Sequence, residues 1–380
     1  MTSAVLWHDL PAEPRPSLDD DCTADVCVIG LGGSGLAAAR EARALGARVV
    51  ALEATAVAGG AAGRNGGLLL GGLAEFHHDA CERWGADAAT ALYRHTLDEL
   101  GRMRADAPDA TWWRGSLRIA DDDAEVDDCA RQQARMALDG LRVEWYEGPE
   151  GRGLLFPEDG ACHPVRRARL LAQRAAQEGV VLYERTPVTA IADGEVHTDG
   201  GAVVYAPLVL VCTDGGLGDL VPEVARRARP VRLQMLATAA AADVALVRPV
   251  YARYGYDYWQ QLPDGRVVLG GGRDQFRGAE FTRDDTPSAE VQAFLESRLR
   301  AAVGTSATIT HRWAATVSFT DDALPIVEPV REGVWAVGAY NGTGNVVGAL
   351  CARGAARRAL GHADEWLDLL DALRQPAFRP

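Results

Sequence analysis

Apolar positions along the chain recur with two periods, about 2 in short β-branched runs and about 3.6 in longer Ala- and Leu-rich ones. The run 24–29 (ADVCVI) ends in glycine, and 34–45 (SGLAAAREARAL) follows at helical spacing and closes at Gly46. A second apolar run, 48–52 (RVVAL), ends in the acid Glu53. The pattern predicts a βαβ unit whose strands are apolar on both faces, as a parallel sheet requires. Helical texture returns over 73–107, broken near Gly85, and over the acidic 121–140, with a strand at 112–120 (WWRGSLRIA) between them. A loop at 151–164 leads into an amphipathic helix over 165–178. Short strands are expected at 180–183, 188–191, 195–198 and 203–205, before the fully apolar 208–212 (LVLVC).

Between 231 and 309 the strands carry aromatics: YGYDYWQQL and RVVLGGG read as a hairpin turned at Pro-Asp-Gly, followed by a helix over 287–302. Strand and glycine texture resumes in HRWAATVSFTDDALPIVEP and VWAVGAYNGTGN, and a final helix runs to Leu360. Residues 1–22, rich in Pro and Asp, are expected as a surface arm. The alternation predicts an α/β fold, α+β taken as a whole. Two domains interleave in it, one mostly parallel α/β and one built on antiparallel strands with helices.

Composition narrows the chemistry. A length of 380 residues suits two to three domains, and 48% apolar with 24% charged residues is ordinary globular composition. A formal net charge of −14 argues against nucleic-acid binding. All 39 basic residues are Arg, so no mechanism that needs a lysine amine is available. The seven cysteines show no CxxC or zinc spacing, and reduced, mostly buried thiols with no metal site are expected. Neither a basic, then apolar, leader nor an apolar stretch of about 18 residues is present, and a soluble cytoplasmic protein without membrane association is expected.

Gly30, Gly32 and Gly35 form GxGxxG (GLGGSG) between the first strand and helix, with Glu53 at the end of the next strand. Gly30 permits a tight turn, Gly32 lets a diphosphate approach the backbone and Gly35 packs helix on strand, while Glu53 suits ribose hydroxyls. The same glycines also suit plain tight packing of helix on strand. The dense glycines of 58–72 (AGGAAGRNGGLLLGG) favour FAD over NAD, because a flat flavin laid on backbone needs missing Cβ atoms, although a flexible loop has the same composition. Arg64 and Asn65 there offer a cation and an amide. At 337–345 (VGAYNGTGN) a glycine turn precedes a helix expected to start near Thr343, placed either to stabilise negative charge on a reduced flavin ring or simply to hold structure. Tyr256 and Tyr258 share one strand face and Trp259 the other; the tyrosine face lines a substrate cavity or belongs to an ordinary core. His77 and His78 are expected as surface residues, with reach to the active site as the other option, and Asp121–Asp123 as a solvated turn.

In order, ADVCVIGLGGSG, LEATAVAGGAAGRNGG, GLLFPEDGACHPVRRARLLAQRAAQEGV, YERTPVTAI, LVLVCTDGG, RVVLGGGRD, FTDDALPIVEP and VWAVGAYNGTGN resemble blocks of the FAD-dependent D-amino-acid oxidase (DAO) superfamily. The likeness is to its gamma-glutamylputrescine oxidase and glycine/sarcosine oxidase-like branch. The resemblance implies a Rossmann-like FAD-binding domain of glutathione-reductase type in three segments, 1–73, 151–230 and 310–380. An antiparallel-sheet substrate domain, 74–150 and 231–309, is inserted between them. It implies that Gly30, Gly32, Gly33, Gly35, Glu53 and Ala54 hold the ADP half of FAD, and that Gly63, Arg64, Asn65, Gly66 and Gly67 run along the diphosphate and flavin. Val188 meets the adenine side, Thr213 and Gly215 close over the cofactor, and Gly338, Asn341, Gly342, Gly344 and Asn345 border the flavin ring.

The chain departs from that pattern in three places. WAATVSFTDDALP (313–325) lacks the arginine that amino-acid-oxidising relatives place there for the substrate carboxylate, which favours an amine substrate. It also lacks the cysteine to which sarcosine-oxidase-like members attach FAD, so non-covalent FAD is expected. No lysine is present to activate O2, leaving Arg64, His77, His78, the flavin surroundings or another electron acceptor. The expected reaction is oxidation of a C–N bond by hydride transfer to flavin N5, with Arg64, Tyr256, Tyr258 and Tyr340 as catalytic candidates and O2 as acceptor. An amino-acid oxidase, a tailoring enzyme on an amino-acid-derived metabolite, a dehydrogenase and a flavoprotein without oxidase turnover remain as alternatives.

Overall fold

Strand Val26–Ile29 is buried at every position, Gly30 turns the chain with a φ of 99°, and helix Gly33–Ala44 starts directly behind it. A positive φ of this size suits only glycine without strain, which is why the first apolar run ends where it does. The computed structural model describes residues 4–11 and 13–374. The described residues form two units, one of 10–63, 164–231 and 317–374, the other of 4–9, 64–163 and 232–316.

The first unit is built on a six-stranded sheet in the order Val181–Tyr183, Val49–Leu52, Val26–Ile29, Leu208–Val211, Val334–Gly338, Ile326–Arg331. Pairing is parallel throughout except at the last edge, where Ile326–Arg331 runs antiparallel to Val334–Gly338. Helix Gly33–Ala44 packs against Pro164–Gln177 and Val347–Ala359 on one side of this sheet. Against the other lies a smaller four-stranded sheet, Cys22–Thr23, Val203–Tyr205, Glu195–Thr198 and Val188–Ala192, whose Val196 and Val204 join Cys27, Ile29, Val50, Val209 and Val211 in one core. Coverage on both faces is the physical reason the strands read as unbroken apolar runs. An α/β fold with several sheets is therefore observed, as the pattern predicts.

The second unit carries an eight-stranded sheet in the order Ile309–Phe319, Arg229–Ala240, Arg266–Gly271, Asp257–Gln261, Val250–Ala252, Ser116–Ile119, Gly151–Phe156, Glu144–Gly148. Helix Ala289–Arg298 buries Val291 and Leu295 against Leu117, Val250, Trp259, Val267 and Leu269 on one face. Tyr93 of helix Ala86–Asp106 and Cys129 and Met136 of helix Asp123–Leu138 cover Leu154 and Phe156 on the other.

Several expectations need correction. The loop expected at 151–164 is two strands, Gly151–Phe156 and Gly160–Cys162, because a Cβ at Gly153 would stand 1.9 Å from the Arg118 carbonyl oxygen. That glycine is there to let two strands approach, not to loosen a loop. The strand expected at 112–120 is broken at Gly115, φ 78°, into Thr111–Trp112 and Ser116–Ile119. Helix 287–302 ends in a widened turn, Leu299–Val303, and a further helix, Glu365–Arg374, follows the one that closes at Ala359. In the N-terminal arm, residues 1–3 and 12 lie outside the described residues, as do 375–380. Of the rest, Trp7 is fully buried and Leu18 lies in the core of the first unit, so the arm does not simply lie on the surface. Among the described residues no helix is long and apolar enough to cross a membrane.

Candidate functional site

In the first unit the glycine turn is assembled by close backbone approach. The Gly30 amide donates to the Leu52 carbonyl at 2.8 Å, and a Cβ at Gly35 would fall 1.8 Å from the Gly30 oxygen. Gly32, the N-cap, has an extended backbone, no side-chain cap, and only the Ala62 methyl 3.1 Å from where its Cβ would be. An uncapped helix N-terminus beside an open glycine backbone is a cradle for an anion. Glu53 locks the turn: Oε2 accepts from the Leu31 amide at 2.9 Å, and Oε1 accepts from the Thr55 amide at 3.0 Å and its hydroxyl at 3.2 Å. Oε2, with a second lone pair, retains room for a ribose hydroxyl.

Beside this turn, the buried Thr213 hydroxyl has no hydrogen-bond partner, and its methyl lies 3.4 Å from the position of a Gly30 Cβ. An orphaned buried hydroxyl beside an open glycine turn is a feature that a bound dinucleotide would satisfy. Asp214 ties the neighbouring turns together: the Ala339 amide donates to its Oδ1 at 2.8 Å, and a Cβ at Gly338 would press on Asp214 Cα at 3.1 Å. Burial pushes the Asp214 carboxyl up to about 7. Asp214, Ala339 and Asn341 all take left-handed backbone, with φ of 39°, 53° and 55°. Such strain collects at ligand sites. Asn341 spends its amide locally, accepting from the Thr320 amide at 2.8 Å and donating to the Ala339 carbonyl at 3.2 Å. Gly215 sits in the turn Asp214–Gly216, Gly342 turns with φ 88°, and Gly344 abuts the Tyr340 ring. Helix Val347–Ala359 begins later than expected, but its first hydrogen bond already reaches back to the Thr343 carbonyl, at 3.1 Å. Gly63 ends the short turn Ala61–Gly63, Ala54 follows Glu53 on the surface, and Val188 opens the outer strand of the small sheet and packs on the core.

Tyr340 is only 5% exposed, donates its hydroxyl to the Val337 carbonyl at 3.2 Å and is also hydrogen-bonded to Ser34, so its hydroxyl is held within the first unit.

In the second unit, 64–67 is held at nearly every peptide. The Trp7 indole donates to the Asn65 carbonyl at 2.8 Å, and the Trp313 indole donates to the Arg64 carbonyl at 2.7 Å. The Asn65 side chain accepts from the Gly67 amide at 2.8 Å, and the Gln260 amide donates to the Gly66 carbonyl. A Cβ at Gly66 would stand 2.9 Å from the Tyr258 ring, so strand Asp257–Gln261 presses that ring onto the glycine backbone. The opposite strand face is core, with Asp257 and Trp259 buried, as the period-two reading has it. Burial pushes the Tyr258 phenol up to about 12, so it stays a neutral hydroxyl. Tyr256, just before the strand, accepts from Arg277 at 3.1 Å, and the Arg273 guanidinium lies 4.8 Å over its ring. Burial lowers the Arg273 pKa. Arg64 pairs with Asp285, while its Nε is buried without a partner.

His77 and His78 are not surface residues. They are 2% and 5% exposed, with Nε2 of His77 2.6 Å from Asp139 and Nε2 of His78 3.0 Å from Asp128, both acids lying beyond the reach of any local pattern. Burial lowers the His77 pKa, outweighing Asp139. His77, Cys81 and Asp139 come within metal-ligand reach of one another, but Arg135 already donates to both Asp139 oxygens, a cation where a metal would need the carboxylate free. Asp122, in the acidic turn, caps helix Asp123–Leu138 by accepting from the Glu125 amide. Sequence reasoning missed Trp7, Arg273 and Arg277. Trp7 did carry a signal, as a tryptophan stranded in a polar arm.

Residues 25–358 match the family model described as "FAD dependent oxidoreductase". A probable oxidoreductase OrdL of Rhizobium meliloti is 27% identical, with 98% of this chain and 92% of that protein aligned. The gamma-glutamylputrescine oxidoreductase of Escherichia coli is 27% identical over 93% of this chain and 87% of its own length. Among solved structures, glycine oxidase from Geobacillus kaustophilus superposes with a TM-score of 0.72 at 21% identity, covering 90% of this chain and 96% of that one. L-proline dehydrogenase from P. horikoshii superposes at 0.72 and 19% identity, covering 90% and 94%. These structural likenesses carry the fold.

Proposed function

The chain belongs to the FAD dependent oxidoreductase family, and from that premise we propose that it oxidises a C–N bond of a primary or secondary amine. Bound FAD supplies the acceptor for the hydride leaving the carbon that bears nitrogen, and water hydrolyses the resulting imine to a carbonyl compound and an amine. The chain's own part is to hold the amine neutral and oriented. The observation that carries this reading is the Tyr258 ring laid on Gly66. It gives the Arg64–Gly67 loop, proposed here to run along the flavin, an aromatic, weakly polar wall, and such a wall lowers the pKa of a bound amine. The proposed cofactor set is Gly30, Gly32, Gly33, Gly35, Glu53 and Ala54, with Gly63 to Gly67, Val188, Thr213, Gly215, Gly338, Asn341, Gly342, Gly344 and Asn345. FAD is held without a covalent bond: 313–325 has no cysteine, and burial pushes Cys212 and Cys351 up to about 12, leaving them un-ionised and poor nucleophiles. Seven free thiols suit a reducing, cytoplasmic setting.

A second reading has a specific observation behind it. Arg273 and Arg277 set two cations on Tyr256, which suits a substrate that carries a carboxylate as well as the amine, an amino acid or an amino-acid-derived metabolite. O2 is the proposed acceptor. His77 and His78 are paired with Asp139 and Asp128; Arg64, paired with Asp285 through one nitrogen but with its Nε unpartnered, is the proposed cation beside it.

The test is the visible spectrum of the purified protein under anaerobic addition of amines with and without a carboxylate, followed by air. Bleaching by neutral amines and rapid recovery in air supports the amine oxidase. Bleaching only by acid-bearing amines moves the assignment to the second reading, and slow recovery makes the enzyme a dehydrogenase. A protein that shows no flavin bands even after FAD is supplied refutes both.

A further inference from the structure

Arg167 lies on helix Pro164–Gln177, in the first unit, and is only 6% exposed. Its neighbours on that helix, Val165, Ala168, Leu171 and Ala172, are core residues. Nε of Arg167 is buried with no hydrogen-bond partner, and no acid among the described residues pairs with the guanidinium. A largely buried arginine without a carboxylate is costly, because the charge loses most of its water and no acid among the described residues offsets it. Its position supplies the reason. Nη1 stands 3.6 Å from where a Cβ of Gly33 would be, and Gly33 is the first residue of the helix that follows the glycine turn. The cation is thus held beside the uncapped N-terminus, and both favour the same kind of ligand.

We propose that Arg167 is a cofactor-binding residue that neutralises the diphosphate of the dinucleotide at the glycine turn. The proposal rests on the FAD reading above. A helix N-terminus offers N–H groups and a partial positive charge, whereas a diphosphate brings two full negative charges. In a chain without lysine, an arginine is the residue able to supply the missing cation, and its planar fork suits two phosphate oxygens at once. The open glycines keep the backbone clear, and Arg167 completes the charge.

The experiment compares wild type with Arg167→Met, which keeps the length and apolar packing of the side chain but removes its charge. Thermal unfolding of the apoprotein and titration with FAD, ADP and adenosine are measured for each. Opposite effects are expected. The Arg167→Met apoprotein melts no lower than wild type, since an uncompensated buried charge is gone, while FAD and ADP bind roughly ten- to a hundredfold more weakly, the range of one lost charge-assisted contact. Adenosine, which has no phosphate, binds both proteins alike. Equal FAD affinity in the two proteins overturns the proposal. So does an Arg167→Met apoprotein that melts well below wild type or fails to fold, because the guanidinium would then be structural. Wild type that binds neither FAD nor ADP refutes the FAD reading itself, a distinct failure.

Discussion

Two glycines of one motif have different jobs, and two single-methyl substitutions separate them. A Cβ at Gly35 would stand 1.8 Å from the Gly30 carbonyl oxygen and 3.5 Å from the Cys212 side chain, so Gly35→Ala must push the helix off the sheet. The loss belongs with the large, named core effects, more than about 4 kcal/mol, and is expected to leave little folded protein. Gly32→Ala meets only the Ala62 methyl, at 3.1 Å, and its φ of −81° and ψ of −174° are open to alanine. A few tenths of an ångström of give and the change of N-cap residue should cost about 1 kcal/mol or less in apoprotein stability. The added methyl does, however, occupy the face on which a diphosphate would lie. Displacing that group from even one N–H contact removes about 1.5–3 kcal/mol, or roughly 10- to 150-fold in affinity. The assay is urea unfolding of the apoprotein beside quenching of FAD fluorescence on binding. Gly32→Ala that folds like wild type and binds FAD equally well refutes the placement of the diphosphate on this turn.

The remaining predictions concern other parts of the chain. If the substrate carries a carboxylate, Arg273→Met should raise its KM at least about tenfold while leaving kcat for a neutral amine unchanged; equal effects on both would rule out anion recognition. Asp159 is 2% exposed, accepting from Ser116 Oγ at 2.6 Å and the Gly71 amide at 2.8 Å, yet burial pushes its carboxyl up to about 7. Because the folded pKa lies above the unfolded one, the folded state holds the extra proton. Stability therefore falls as pH rises from about 4 to about 7, and Asp159→Asn should gain on wild type by ~1–4 kcal/mol at pH 8 but not at pH 4, read from urea midpoints. Trp7→Phe should cost about 1 kcal/mol for the lost bond to Asn65, and Trp7→Ala about 3–5 kcal/mol; indifference to both would show that the N-terminal segment does not brace the Arg64–Gly67 loop.

Local order was legible in the sequence wherever one period or one glycine decides it. The run VCVI, the turn at Gly30, helix Gly33–Ala44 and strands Val49–Leu52 and Leu208–Val211 lie where the pattern puts them, because each needs only its own residues' burial and backbone preference. In strand Asp257–Gln261 alternation sends Trp259 and Tyr258 to opposite faces, though Gln260 buries the Tyr258 face as well. What the pattern could not supply was partners. GRGLLF reads as a loop until Arg118 is known to lie across from Gly153, and the two histidines read as surface until Asp139 and Asp128 arrive from another helix and its end. Tyr340 and Arg167 show the same division from opposite sides. Sequence names a tyrosine in a glycine turn and an arginine in an amphipathic helix, and only the packed structure buries the tyrosine's hydroxyl against Val337 and leaves the arginine unpaired beside Gly33. Periodicity encodes which side of an element turns inward; which residue waits there is set by contacts far apart along the chain.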